Sequence, residues 1–244
     1  LNYRKRIGNH NFDILAGVEA SKSKFHLNNM KGVGFSSSTL KTPADAAVLT
    51  PTFDESAYTF LSVLSRVNYD YKGKYLISLT ARRDGSSRFG KDRQWGTFPA
   101  ASLGYNISEE DFFEPLKGVF NFFKVKASYG ISGNAEIGNY LNESRYTQQN
   151  YNLQNGITLS NIPDDELGWE SAAQTNFAVS MELFDGKIRA DIDYYEKVTS
   201  DLLLPFPVSI VTGLNNVTAN IGELKNKGFE IILGATLADK NDLS

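Results

Sequence analysis

Apolar and polar side chains alternate with a period of two along most of the chain. In residues 75–81, Tyr75, Ile77 and Leu79 share one face, with Ser78 and Thr80 opposite. This alternation is typical of a β-strand whose two faces meet different environments. It recurs in eight segments, which predict strands around residues 12–18, 63–71, 75–82, 101–107, 123–129, 175–183, 188–194 and 229–235. The one helical signal is a short turn at 108–113, where Ser108 and Asp111 have capping-box spacing.

The connections between these strands alternate between short and long. Two of the short connections contain turn-forming residues, Lys72-Gly73-Lys74 and Asp185-Gly186. Asp185-Gly186 is a strong signal for a two-residue hairpin. In an antiparallel up-and-down meander, alternate connections lie at the same end of the sheet. The sequence therefore predicts short turns at one end and long loops at the other. The long connections are predicted at 21–57, 84–96, 132–169 and 198–225.

A soluble β-sandwich and a transmembrane β-barrel both show such alternation. Loop lengths segregated by end, and strands near the roughly 9–11 residues that cross a bilayer, favour the barrel. Charged side chains also fill one face, as Asp191 and Asp193 do opposite Ile192. We therefore predict an all-β, antiparallel up-and-down meander forming a partial transmembrane β-barrel. On the strand at 175–183, we expect Phe177, Val179 and Met181 to face the lipid. We expect Asn176, Ser180 and Glu182 to face the lumen.

The amino-acid composition excludes several kinds of binding site and structural element. The 244 residues include no cysteine and two histidines, so disulfides and thiolate metal sites are excluded. The net charge of −3 gives no argument for nucleic acid. No apolar run reaches the length of a transmembrane helix. Because no catalytic constellation is present, we predict no enzymatic activity, no cofactor and no bound metal.

Several motifs, taken in order, resemble one family. Residues 66–76 (RVNYDYKGKYL), 82–90 (RRDGSSRFG) and 126–134 (KASYGISGN) are similar to signatures of the SusC/RagA family of TonB-dependent outer-membrane transporters. Further matches follow in family order at Trp169-Glu170, 193–197, 201–204 and 226–230. Each motif alone is weak, but so many in order are highly specific.

The resemblance implies a barrel of about 22 strands with a plugged lumen. Residues 1–244 are then expected to be part of a single barrel domain, an internal fragment without the plug or the TonB-contacting segment. The implied function is TonB-dependent uptake of glycan or peptide oligomers across the bacterial outer membrane. The implied partners are a SusD-like surface lipoprotein, TonB (through a segment absent from this chain) and the lipid bilayer. A passive porin-like barrel and a soluble carbohydrate-binding β-sandwich are the alternatives.

Four side chains are candidate contacts for a ligand or for the lipoprotein lid: Arg82, Arg88, Trp95 and Trp169. Arg82 is expected near the extracellular end of a strand, with residues 84–87 beginning an external loop. We expect that loop to serve connection and packing rather than to bind an anion or calcium, because a single Asp makes a poor calcium site. Trp169 is expected either to stack on sugar rings or to belong to an interfacial aromatic girdle.

Overall fold

The main element of the molecule is one nine-stranded antiparallel sheet. A computed structural model describes residues 1–39 and 42–236 of the chain. Its thirteen strands are β1 Asn2–Ile7, β2 His10–Phe35, β3 Ala46–Tyr71, β4 Tyr75–Ser86, β5 Trp95–Asn106, β6 Phe120–Asn134, β7 Arg145–Tyr151, β8 Gln154–Asn161, β9 Glu170–Leu183, β10 Ile188–Ser200, β11 Leu203–Pro207, β12 Asn216–Asn220 and β13 Glu223–Ala235. Four short 3-10 helices lie at Pro43–Asp45, Ile107–Glu109, Asp111–Leu116 and Ile210–Thr212.

The strand order confirms the predicted meander. The sheet runs β1-β2-β3-β4-β5-β6-β9-β10-β13, while β7-β8 and β11-β12 form separate hairpins inserted in two loops. All eight predicted strands are present, and the two-sheet order of a β-sandwich is not found among the described residues. Strand β1 was not predicted, because its sequence, NYRKRI, is mostly polar and shows no clean alternation. Among residues 1–39 and 42–236, no helix has the length and apolar character that crossing a membrane requires.

Short turns and long loops lie at opposite ends of the sheet, as predicted. At the short end, Lys74 N–H donates to the Tyr71 carbonyl at 2.9 Å, and Lys187 N–H donates to the Phe184 carbonyl at 3.2 Å. Asp185 and Gly186 have φ angles of 57° and 77°, the left-handed values that a two-residue hairpin requires. The long connections at the other end are 36–45, 87–94, 135–169 and 201–222.

The predicted long loop at 21–57 is wrong. Strands β2 and β3 are 26 residues each, and they stay paired from His10 opposite Tyr71 to Phe35 opposite Ala46. The sequence did not predict their far halves, because Lys, Ser and Asn interrupt the apolar alternation in β2, and Pro51, Asp54 and Glu55 interrupt it in β3. A two-stranded ribbon that lies beyond the bilayer is wetted on both faces, so its pairing does not need that alternation.

The predicted capping role of Ser108 is also wrong. Ser108 lies inside the 3-10 helix Ile107–Glu109, whose N-cap is Asn106, and its buried hydroxyl has no hydrogen-bond partner. The next 3-10 helix, Asp111–Leu116, begins after Glu110 and contains Pro115. Glu110, between the two helices, is extended, and Pro115 lacks an N–H donor and restricts Glu114, which disfavours a regular helix at the end of this segment.

The register aligns one chemistry on each face of the sheet. Across β6, β9, β10 and β13, Val125, Val179, Ile192 and Ile231 form one continuous row. The adjacent row, on the other face, contains Lys126, Ala178, Asp193 and Glu230. Phe177 is 55% exposed on the apolar side, and the Ser180 hydroxyl donates to Asp191 on the polar side. We refer to these sides as the apolar face and the polar face.

Tyrosines gather at the short-turn end of the sheet. Tyr71, Tyr75 and Tyr105 lie in register on β3, β4 and β5, and the rings of Tyr75 and Tyr105 stack with centroids 5.0 Å apart. The Glu110 carboxylate accepts hydrogen bonds from the Tyr75 hydroxyl at 2.8 Å and from Lys74 Nζ at 3.0 Å. These hydrogen bonds hold the pKa of Glu110 below its usual value of 4.5, and the bond from Tyr75 contributes more to this lowering than the bond from Lys74. Such a belt is typical of a strand crossing the headgroup region.

Candidate functional site

A charged cluster occupies the polar face near the long-loop end of β2, β3 and β4. Arg82 Nε donates to both carboxylate oxygens of Asp84, at 2.7 and 2.8 Å, and its Nη2 donates to the Ser62 hydroxyl at 3.0 Å. The Glu19 carboxylate lies 3.6 Å from Arg82. Two carboxylates therefore neutralise the Arg82 guanidinium, and Asp84 is itself nearly buried, with 6% of its surface exposed.

The motif at 82–90 ends a strand rather than opening a loop, which corrects the expectation for residues 84–87. Asp84, Gly85 and Ser86 belong to β4, and Gly85 pairs with Trp95 on β5. Gly85 is required for contact and not for a turn: a Cβ there would lie 3.0 Å from three atoms of the Trp95 ring. Only Ser87 leaves the sheet, and its N–H and hydroxyl still bond Thr59 on β3.

Arg88 fastens a second loop to the sheet. Its Nε donates to Asn139 Oδ1 at 2.8 Å, its Nη1 donates to the Ala135 carbonyl at 3.0 Å, and its guanidinium lies 3.8 Å above the Tyr58 ring. Asn139 in turn donates to the Ser56 hydroxyl, and Tyr140 accepts from the Ala57 N–H at 2.8 Å. The segment 135–140 thus crosses from the end of β6 to the edge of β3 beyond the last β4 pair.

Trp169 forms the centre of an aromatic cluster at the same end. Its ring makes contacts with Phe60, Phe89 and Phe98 at centroid distances of 5.7, 5.0 and 5.2 Å, and its Nε1 donates to the Gln94 carbonyl at 3.0 Å. Phe89 is fully buried. The cluster joins β3, β5 and the 87–94 loop to the start of β9, so it forms a small apolar core at the long-loop end.

The four candidate side chains divide between two cavities. Arg82 and Arg88 line a cavity of about 610 Å³ that also meets Tyr58, Phe60 and Glu136. Trp95 and Trp169 line a second cavity of about 510 Å³, beside Asp164, Glu166 and Asn220. The exposed ring of Trp95 packs on Gly85. Gly85 alternates along β4 with the polar-face residues Arg82 and Asp84, so this ring lies on the apolar face. Whether any of the four contacts a ligand or a lid stays a prediction.

Sequence reasoning did not identify Tyr58, Glu136 or Asn139. Glu136 and Asn139 lie in the predicted long loop at 132–169, Tyr58 lies between the predicted loop at 21–57 and the strand predicted from residue 63, and no motif marks any of the three. Their positions follow from the pairing of β2 with β3 far beyond the apolar band, and from the hydrogen bonds of segment 135–140. Short-range patterns carry no signal for such contacts, which join residues about eighty positions apart.

The first of these cavities suits binding rather than bond-breaking. It offers a cation above an aromatic ring, several hydroxyls and two carboxylates, groups that recognise polar oligomers by stacking and hydrogen bonds. The described part of the chain holds no cluster of three or more His, Cys, Asp or Glu side chains placed to bind a metal.

Comparison with known proteins identifies the family. The model of the TonB dependent receptor-like β-barrel matches residues 2–241. The chain belongs to the TonB-dependent receptor family. This TonB-dependent receptor barrel is 37% identical over 239 residues to a TonB-dependent receptor of Formosa agariphila, covering 96% of this chain and 23% of that protein. It is 34% identical over 247 residues to the TonB-dependent receptor SusC of Bacteroides thetaiotaomicron, covering 96% and 24%. The resemblance to SusC/RagA proteins is therefore confirmed.

Solved structures agree with this assignment. The RagAB peptide transporter superposes with a TM-score of 0.88 at 27% identity, covering 99% of this chain and 27% of that one. The siderophore receptor PirA of Pseudomonas aeruginosa, at 13% identity and a TM-score of 0.58, shares the fold. The chain spans about a quarter of the length of its curated relatives. Members of the TonB-dependent receptor family are outer-membrane receptors and transporters, not enzymes, and the chain is accordingly an outer-membrane protein.

Proposed function

We propose that the full-length protein imports oligomeric nutrients, glycans or peptides, across the outer membrane with energy delivered through TonB. The observation that supports this most directly is the lined cavity at the long-loop end of a wall that matches SusC and RagAB. Residues 1–244 would form part of a single barrel domain. In this role the chain supplies wall and loops and catalyses no reaction.

The proposed partners are TonB and a SusD-like surface lipoprotein. RagAB is described as a peptide transporter, and SusC as a TonB-dependent receptor, and both align with almost the whole chain. A lid would close over the long-loop end, because that end carries the β2–β3 ribbon and the β7–β8 and β11–β12 hairpins. TonB would act from the short-turn end.

Arg88 and Arg82 are the proposed contacts for cargo. Arg88 forms no ion pair within 4.0 Å in the described residues, whereas Arg82 is paired with Asp84. The Arg88 guanidinium therefore retains more capacity to donate hydrogen bonds to a carboxylate or to stack on a sugar ring. We expect Arg88 to affect cargo affinity and Arg82 chiefly to hold the wall of the cavity.

An uptake experiment tests the proposed function. Cells that produce the full-length protein are supplied with a defined mixture of oligosaccharides and oligopeptides, and periplasmic contents are measured by mass spectrometry with TonB present or deleted. We expect at least one oligomer to accumulate only when TonB is present. Equal accumulation in both strains would indicate a passive porin-like pore and contradict the proposal.

A further inference from the structure

A cation and a tryptophan face away from the polar cavity at the long-loop end of β4 and β5. Arg83 and Gly85 alternate along β4 with Arg82 and Asp84, so they lie on the apolar face. The guanidinium carbon of Arg83 is 5.4 Å from the centre of the Trp95 ring, which lies against Gly85. Trp95 is 45% exposed, so one surface of the ring remains open.

Two lysines extend this feature across the sheet. The register aligns Ala20, Leu61, Gly85 and Trp95 in one row of the apolar face. Lys22 and Lys24 stand one and two steps above that row on β2, both exposed. We call Lys22, Lys24, Arg83 and Trp95 the rim cluster.

The rim cluster carries uncompensated positive charge. None of its three cations lies within 4.0 Å of a carboxylate in residues 1–39 and 42–236. Glu19 and Asp84 project to the opposite face, where they pair with Arg82. Glu55, which shares the face one pairing step beyond Lys24, lies 3.6 Å from His26. An anion approaching from the membrane side therefore meets three cations and one aromatic ring.

The depth of the rim cluster matches the edge of the bilayer. From Tyr71 in the lower tyrosine belt to Leu61 in the Trp95 row, β3 runs ten residues, about 33 Å at about 3.3 Å per residue. At a strand tilt of about 40° this spans about 25 Å, the height of the apolar band of an outer-membrane barrel. The apolar side chains in between include Val63, Val67 and Leu79, which are 49%, 37% and 52% exposed. The cations therefore lie at the headgroups of the outer leaflet.

We propose that the rim cluster binds the phosphate groups of anionic lipid in the outer leaflet. Because the register places Arg83 level with Val18, four residues below Lys22 along β2, Arg83 and the two lysines hold separate phosphates. Arg83 suits a bidentate contact to phosphate, while Lys22 and Lys24 add flexible point charges. Trp95 has the amphipathic ring favoured at the headgroup level. The acyl chains would lie along the exposed apolar row containing Val18 and Val63. A lipid contacts the charged part of this surface with its phosphate and the apolar part with its acyl chains, whereas a free anion contacts only the charged part.

Lipid binding is tested with the full-length protein in phosphatidylcholine nanodiscs that contain lipid A as the phosphorylated probe. Lipid A retained per folded protein is measured by native mass spectrometry for the parent and for the triple variant Lys22→Gln, Lys24→Gln, Arg83→Gln. Each surface cation contributes about fivefold to the affinity for an anionic lipid, so the triple variant should lose about a hundredfold. The matched control, Lys124→Gln, Lys126→Gln, Arg189→Gln, removes three polar-face charges and should bind lipid A like the parent.

The remaining outcomes separate this site from other sources of binding. Equal retention by the parent and the triple variant, or equal loss in the control, would overturn the proposal. Displacement of lipid A by millimolar inorganic phosphate would show a simple anion site and would also overturn it. Lipid A that leaves when the surface lipoprotein is added would assign the rim cluster to a protein interface instead. Heat-dependent gel mobility confirms that each variant is folded before it is compared.

Discussion

At the scale of single residues, Gly85 shows how a loop-like motif serves packing. It sits in a strand without a positive φ, yet a Cβ there would lie 3.0 Å from the ring of Trp95, closer than an ordinary van der Waals contact. Its neighbours in the motif also have structural tasks: Asp84 pairs with Arg82, and Phe89 fills the aromatic cluster. The motif therefore connects the end of strand β4 to the loops above it and packs against both.

Gly85→Val should displace Trp95 and destabilise the barrel by about 1–3 kcal/mol, the usual cost of forcing extra methyl groups into a packed contact. The free energy of unfolding of the full-length protein in lipid vesicles measures the effect. Ala81→Val is the matched control, because Ala81 lies on the same strand and face and is exposed. Equal losses in both variants would show that the Trp95 contact is unimportant.

Glu110 is predicted to make stability depend on acid pH. Its folded-state pKa lies below the usual value of 4.5, so its ionised form stabilises the fold above that pH. This stabilisation is lost as the pH falls through the lowered pKa. Glu110→Gln should therefore be less stable than the parent at pH 7, and the difference should shrink towards pH 3.

Unfolding of the full-length protein followed at pH 7 and pH 3 checks this trend. Glu114→Gln is the control, because Glu114 lies in the same connection and forms only an exposed ion pair with Lys117. A difference between the Glu110 variant and the parent that grows in acid would have the wrong sign for this account.

At the scale of elements, the apolar and polar faces are predicted to tolerate charge differently. Val179 lies in the apolar row of β9, and Ser180 lies opposite Asp191 on the polar face. Val179→Arg places a cation in lipid and should cost about 2–4 kcal/mol at the midplane. Ser180→Arg meets a carboxylate and water, so its cost should be far smaller. Folding into vesicles, measured for both variants of the full-length protein, distinguishes them; a larger loss for Ser180→Arg would invert the assignment.

The sequence predicted the strands that cross the apolar band far better than it predicted the elements above it. Inside the band, lipid on one side and water on the other impose a period of two, as in Phe177 to Met181. Above the band both faces are wet, so the far halves of β2 and β3 and the β7–β8 hairpin lack that period. Pairing there is held by backbone hydrogen bonds, which do not require a period of two in the side chains.

The candidate site was predictable only in part, for the same reason. Arg82, Arg88, Trp95 and Trp169 stand in or beside recognisable motifs, and the structure brings them together in pairs. Their separation into two cavities depends on which face Gly85 occupies and on where segment 135–140 crosses. Neither feature follows from local spacing.

At the scale of the whole molecule, the described sheet is open. Strands β1 and β13 stand at its two ends, and they do not pair with each other among the described residues. Expressed alone, residues 1–244 should aggregate, because both end strands present free N–H and C=O groups and the apolar face is exposed to water. Size-exclusion chromatography in buffer without detergent checks this. A sharp monomer peak that melts cooperatively would contradict the membrane assignment.

The β2–β3 ribbon has a mechanical consequence for the cell surface. Both strands run without interruption from the turn at Gly8-Asn9 and Lys72-Gly73-Lys74 to the top of the ribbon near Phe35 and Ala46. A slip of one residue would exchange the two faces of each strand within the membrane, which the apolar band forbids. The ribbon therefore cannot slide along the wall, and a force applied at its tip is transmitted through its paired strands to their lipid-facing segments.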